Sequence, residues 1–110
     1  MIDFEKVIVD PRHNEPVEYR VNDKKTIPLT LSLAVTEALG GMQKGDENDN
    51  VSERRRRGKL IDDILDKKQL DLDTEDVAMI LDRVYKRYNT LIWNECRKAM
   101  LDAPKVEQVN

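Results

Sequence analysis

The stretch Asp73-Thr74-Glu75-Asp76-Val77-Ala78-Met79-Ile80-Leu81-Asp82-Arg83-Val84-Tyr85-Lys86-Arg87-Tyr88 decides how this chain folds. Val77, Ile80, Leu81, Val84 and Tyr88 recur at three- and four-residue intervals, the spacing of one face of an α-helix. Asp73 or Thr74 can cap its start, because a short side-chain oxygen accepts an amide proton that the first turn leaves unpaired. Glu75 and Asp76 then place negative charge at the positive end of the helix dipole. A helix with one apolar stripe needs something to cover that stripe, so the neighbouring segments must pack on it.

Beyond it, Asn89 interrupts the run and is expected to take the left-handed conformation that ends helices. Thr90 restarts a helix through Leu91, Ile92, Trp93, Cys96, Met100 and Leu101, which Pro104 ends. The tail over 104–110 has little to bury and is expected to fray. Before it, Leu70 and Leu72 alternate with Asp71 and Asp73, so the connection should be extended and pinned by its leucines. Upstream lies a further helix, with Ser52 as N-cap and Leu60, Ile61, Ile64 and Leu65 on one face. Glu53 with Arg57, and Asp63 with Lys67, are four-residue pairs in the favourable order. Residues 51–103 therefore read as a helical half of three amphipathic helices.

The first 42 residues follow a different period. Ile2, Phe4, Val7 and Val9 suggest a strand, and Val17, Tyr19 and Val21 share one face of another. Asp10-Pro11-Arg12-His13-Asn14-Glu15-Pro16 between them is rich in turn formers, so the two runs predict an antiparallel hairpin. Asn22 to Lys25 makes a second turn and Thr26 to Leu29 a short third strand, kept at an edge by Pro28. Thr30 or Ser32 caps a small helix over Leu31 to Leu39 that Gly40-Gly41 stops. Its apolar positions cover most of its circumference, which predicts burial. Residues 43–50 lack apolar side chains and read as a mobile surface loop. An isolated hairpin is marginal in water, so it should pack on the helices. The expected class is α+β: an N-terminal β-hairpin or small antiparallel sheet with a short helix, then the three-helix half, in a single domain over 1–110.

Composition bounds the function classes. At 110 residues the chain can bury roughly 60–70% of its unfolded surface. Charged residues make up 37% and the net charge is −3, which argues against wholesale nucleic-acid binding but allows a local patch. One cysteine excludes an internal disulfide framework. No signal-type segment and no apolar run approaching membrane length occurs, so a soluble protein is expected.

Few residues form patterns that could carry chemistry. Asp46-x-Asn48-x-Asn50 opens like a calcium loop, but its sixth position is Val51, where that loop needs glycine, and its twelfth is Arg57, where it needs glutamate. His13 is the sole histidine and lies in a turn, which supports neither a zinc site nor a nucleophile–histidine pair. Cys96 falls on an apolar stripe, where a small buried hydrophobe is the common role. The carboxylates are scattered as caps and surface charges, and no phosphate-binding glycine loop is present. The chain is thus expected to be non-enzymatic, with no catalytic residue, no metal and no cofactor.

One cluster stands out: Arg54, Arg55, Arg56, Arg57 and Lys59 put five cations within six residues. Arg54, Arg57 and Gly58 continue the stripe of Ile61 and Leu65, whereas Arg55, Arg56 and Lys59 point elsewhere. The helix either projects beyond the core there or folds its arginines back over apolar surface toward local acids. The block is the candidate partner-binding surface. An acidic protein face is its first reading and nucleic acid its second.

Two runs in this half resemble a family of small bacteriophage and prophage proteins of unassigned function. They are Ser52-Glu53-Arg54-Arg55-Arg56-Arg57-Gly58-Lys59-Leu60-Ile61 and Leu70-Asp71-Leu72-Asp73-Thr74-Glu75-Asp76-Val77-Ala78-Met79-Ile80. Members share a basic helix start, a short turn, a Leu-Thr/Ser-x-Glu-Asp opening to the next helix, and a leading strand with a Thr-Leu-rich helix, as at Thr30 to Leu39. The family's glycine- and proline-containing start to the last helix is replaced by Tyr88-Asn89-Thr90-Leu91-Ile92-Trp93. The resemblance implies phage origin and a small non-enzymatic role, and it transfers no catalytic residue. The expectation is an accessory protein that binds a phage structural or host protein, in virion assembly or as a modulator of a host factor. It would act in the host cytoplasm or the virion, away from membranes, and an oligomer is compatible with the sequence. The alternative is a small nucleic-acid-binding regulator that uses the Arg54–Lys59 block.

Overall fold

The computed structural model describes residues 1–101 and gives an α+β fold. Short strands β1 (Ile2–Asp3), β2 (Val9–Asp10), β3 (Glu15–Pro16), β4 (Glu18–Asn22) and β5 (Lys25–Pro28) lead into α1 (Leu31–Gly40). A 3-10 turn at Asp46–Asn48 precedes α2 (Val51–Lys67), and β6 (Gln69–Leu70), α3 (Thr74–Arg87) and α4 (Thr90–Leu101) complete the order. Among the described residues no helix is long and apolar enough to cross a membrane.

The short apolar helix α1 is the centre. Thr30 Oγ1 accepts the Leu33 N–H at 3.1 Å and fixes its start. Leu31, Ala34, Val35, Ala38 and Leu39 are buried, and α2, α3 and α4 all pack against it. Alanine at positions 34 and 38 lets neighbouring backbones come close to a helix that would otherwise be too thick to surround. Phe4, Ile8, Leu29, Ile64, Ile80, Val84 and Cys96 complete the fully buried set. Burying Ile80 and Val84 contributes roughly 1.5–3 kcal/mol each.

The strands form three separate two-stranded antiparallel pairs. The β4–β5 hairpin turns at Asp23 and Lys24, as the sequence predicts, with Pro28 opposite Glu18 at its end. The register shifts between Arg20 and Asn22, and Val21 lies exposed instead of sharing the covered face of Val17 and Tyr19. The hairpin expected between residues 1–10 and 17–21 is reduced to β2 against β3, two residues each. β1 pairs with β6 instead, Ile2 opposite Leu70. The alternation fails after Phe4 because the chain turns there: the Lys6 N–H reaches Asp3 O at 3.3 Å and the Glu5 N–H reaches Asp3 Oδ1 at 3.0 Å. The phase flips, so Ile8 is buried while Val7 is exposed.

Two helix ends and one helix face bring three further corrections. α2 is capped by Asn50, whose side chain accepts the Glu53 N–H at 2.9 Å, and Ser52 already lies inside the helix. Leu65, read as part of the buried stripe, is 57% exposed. Asn89 is not left-handed: α3 ends with Tyr88 in extended conformation, and Asn89 Oδ1 accepts the Ile92 N–H to start α4. Asp73 caps α3 through the Asp76 N–H at 2.8 Å, as expected. On α4, Cys96 and Met100 are buried and Leu101 is exposed. The stop at Pro104 and the tail over 104–110 lie outside the described residues.

Candidate functional site

The arginine block faces two ways. Arg57 and Arg54, on the side that continues the apolar stripe, both turn to Asp49. Arg57 forms a two-armed ion pair with it, and Arg54 Nε approaches to 4.0 Å. Arg54 also places Nη2 3.9 Å from Met42 Sδ. Arg56 swings to the start of α3, where Nε donates to Asp76 Oδ1 at 3.0 Å. Arg55 and Lys59 are exposed, and among the described residues neither meets a carboxylate. Three of the five cations thus face carboxylates of the chain, two of them sharing the single charge of Asp49. Hydrogen bonding from Arg57 holds the Asp49 carboxyl below the usual carboxylate range.

A fifth arginine joins this cluster from α3. Arg83 is buried, with 7% of its surface exposed, and all three of its guanidinium nitrogens are used. Nε donates to Ala38 O at 2.8 Å and Nη2 to Gly41 O at 2.8 Å, serving carbonyls that the end of α1 leaves without partners. Nη1 and Nη2 reach the two oxygens of Asp46 at 2.9 and 3.0 Å. Asp46 also accepts the Gln43 N–H at 2.8 Å. Hydrogen bonding from Arg83, helped by Gln43 N–H and by nearby Arg57, holds the Asp46 carboxyl far below its ordinary value. The segment expected to be a solvated loop therefore has its first acid locked under α3. Lys44, Gly45, Glu47 and Asn48 around it are exposed.

Glu37 is a second junction: its carboxylate accepts from Tyr19 Oη, from Arg87 Nη2 at 3.0 Å and from Tyr88 Oη at 3.4 Å. This contact fastens the β4–β5 hairpin to α1 and the end of α3. Both tyrosine hydroxyls are held above the ordinary phenol range, Tyr19 chiefly by the hydrogen bond to Glu37 and Tyr88 chiefly by burial.

On the α3–α4 surface, Tyr85 meets Trp93 edge to face with ring centres 5.9 Å apart. Arg97 lies over the other ring, its guanidinium carbon 5.9 Å from the Trp93 centroid. The sequence reading placed Trp93 on an apolar stripe and missed this grouping. The four-residue step from Trp93 to Arg97 was the available signal.

The remaining candidates have plain places. His13 is exposed in its turn, beside Asp10 and Arg12. Cys96 is fully buried, and burial pushes its thiol up to about 12, where almost no thiolate forms at neutral pH. Asp46 of the calcium-like pattern has both oxygens on Arg83. Among the described residues no group of three acidic, histidine or cysteine side chains is placed to hold a metal ion. Compared with protein-family models, curated proteins and solved structures, the chain matches none.

Proposed function

We propose that this chain is a phage-encoded, non-enzymatic accessory protein that works by binding another protein, in virion assembly or as a modulator of a host factor. Phage origin rests on the sequence resemblance alone. Protein binding is supported by one observation: the arginine block spends Arg54, Arg56 and Arg57 on Asp49 and Asp76 and leaves Arg55 and Lys59 open. A polyanion gains affinity from many unpaired cations that displace its counterions. Two open cations one turn apart suit a carboxylate on a protein surface better than a phosphate backbone.

Nucleic acid is the second reading, favoured by Arg54, whose exposed side chain shares Asp49 with Arg57 and adds partly uncompensated charge to the open pair on α2. The test is affinity capture from bacterial lysate on the immobilised chain, with and without nuclease. A protein retained after nuclease treatment, and lost with Arg55→Ala/Lys59→Ala, supports the first reading. Loss of all captured material on nuclease treatment supports the second.

A further inference from the structure

Arg97 is held in place, yet among the described residues it has no anion. Its Nε and Nη2 both donate to Asn94 Oδ1, at 3.4 and 3.1 Å, and its guanidinium carbon lies over the Trp93 ring. Among the described residues, Arg12, Arg54, Arg56, Arg57, Arg83 and Arg87 each reach a carboxylate, and Arg97 reaches only this neutral oxygen. An arginine fixed by stacking and an amide has already lost most of its side-chain freedom. A carboxylate docking on its open nitrogens therefore meets little further ordering cost.

The apolar side of the same surface is equally unfinished. Tyr85 is 62% exposed although its ring touches Trp93, and Leu101, one helical turn beyond Arg97, is also exposed. Aromatic and arginine side chains are the types that dominate protein interfaces. Here they adjoin, with an unpaired positive charge set between an aromatic pair and an aliphatic residue. The geometry points to a docking site for an acidic segment of a partner protein: one carboxylate on Arg97, and a neighbouring aromatic or aliphatic side chain on Tyr85 and Trp93. This rests on the protein-binding reading above and adds to the α2 contact a second one on α3–α4.

A strand of nucleic acid fits this surface less well. The nearby cations Lys86, Arg87 and Lys98 are already paired with Asp82, Glu37 and Glu95, so among the described residues a phosphate backbone would find Arg97 as the open charge here, set among fixed acids.

Trp93 is the chain's single tryptophan, so its fluorescence reports on this site alone. Random 12-residue peptides would be displayed and selected on the full-length chain, then synthesised and titrated while Trp93 emission is followed. Selected peptides are expected to carry Asp or Glu within three positions of Trp, Phe or Leu and to shift Trp93 emission. Arg97→Gln and Tyr85→Ala should each weaken them about tenfold or more. Arg97→Lys should restore only part of the loss, because the ammonium lacks the flat fork. Tyr85 is exposed and Arg97 half-buried, so the melting curve of each variant should fall only slightly below the parent's.

Selection of peptides without acids overturns the site. So does failure to select any peptide, or peptide affinity that ignores both variants. A 12-nucleotide single strand that shifts Trp93 emission when peptides do not also overturns it, in favour of nucleic acid. If a protein captured from nuclease-treated lysate is held equally by Arg97→Gln and Tyr85→Ala chains, this site falls while the protein-binding reading stands.

Discussion

Arg83 and Asp46, 37 positions apart in sequence, share two hydrogen bonds of 2.9 and 3.0 Å, and each is 93% removed from solvent. The pair sits where α1 ends, and the same guanidinium holds the Ala38 and Gly41 carbonyls. One side chain thus joins α3, the end of α1 and the segment leading to α2. Removing one partner of such a pair leaves a buried charge without compensation, which costs more than the pair is worth intact. We predict that Arg83→Ala lowers stability by about 3–5 kcal/mol in urea melts. Arg83→Lys should recover less than half, because an ammonium cannot serve both carbonyls and the carboxylate. A loss below roughly 1 kcal/mol would show that water replaces these contacts.

Acid should weaken the fold through the same acids. The Asp46 and Asp49 carboxyls titrate below their ordinary value of 3.8 in the folded chain. A depressed folded value means that the unfolded chain takes up protons first as pH falls. Their contribution is therefore fully present above about pH 4 and is lost as pH drops through the folded values. Melts taken between pH 6 and pH 2 should show stability falling below pH 4. An Asp46→Asn chain should start less stable and fall less steeply.

The arginine block should divide by geometry. Arg57 is half-buried and paired with Asp49, so Arg57→Ala should cost about 2 kcal/mol, the range for hydrogen bonds to charged groups. Arg55 meets no carboxylate among the described residues, and Arg55→Ala should stay within about 0.5 kcal/mol of the parent. Thermal melts of the two single variants decide this. Equal losses would mean that the Asp49 pair is not maintained in solution.

Lys68 closes α2 with φ +62° and ψ −30°, a positive-φ conformation in which a side chain is crowded. Its ion pair with Glu5 spans 3.4 Å between two exposed groups and contributes little. Lys68→Gly should therefore raise stability by about 0.5–1 kcal/mol, provided that the glycine's extra freedom when unfolded does not cancel the relief. A chemical melt with an unchanged slope and a higher midpoint is the expected result.

The helices were legible because their signals are local. Asp73 at the cap, the Ile80 and Val84 stripe and the Gly40-Gly41 stop each act over a few neighbouring residues. The Asp46 contact was not. Residues 43–50 have the composition of a solvated loop, and nothing nearby shows that an arginine on α3 reaches it. Half of that signal was present, since Arg83 falls between Ile80 and Val84 on the buried face, where a lone cation requires a partner. Which acid supplies it depends on tertiary packing. The β1–β6 pairing was equally hidden, because two-residue strands carry no period. On the candidate site, the five cations of α2 were found by composition, and their pairing followed the helical phase only in part. Arg56, expected to point away, turned to Asp76 instead.

The β1–β6 pairing also sets an order of events. Ile2 needs Leu70 opposite it, and the Phe4 N–H needs the Lys68 carbonyl at 2.9 Å. During synthesis, these early residues wait until residue 70 has left the ribosome, while α1 emerges with its apolar surface uncovered. Pairings this distant in sequence slow folding and lengthen the time that such surface is exposed. A growing chain would therefore be a natural client for a chaperone until α2, α3 and α4, which all pack on α1, have emerged.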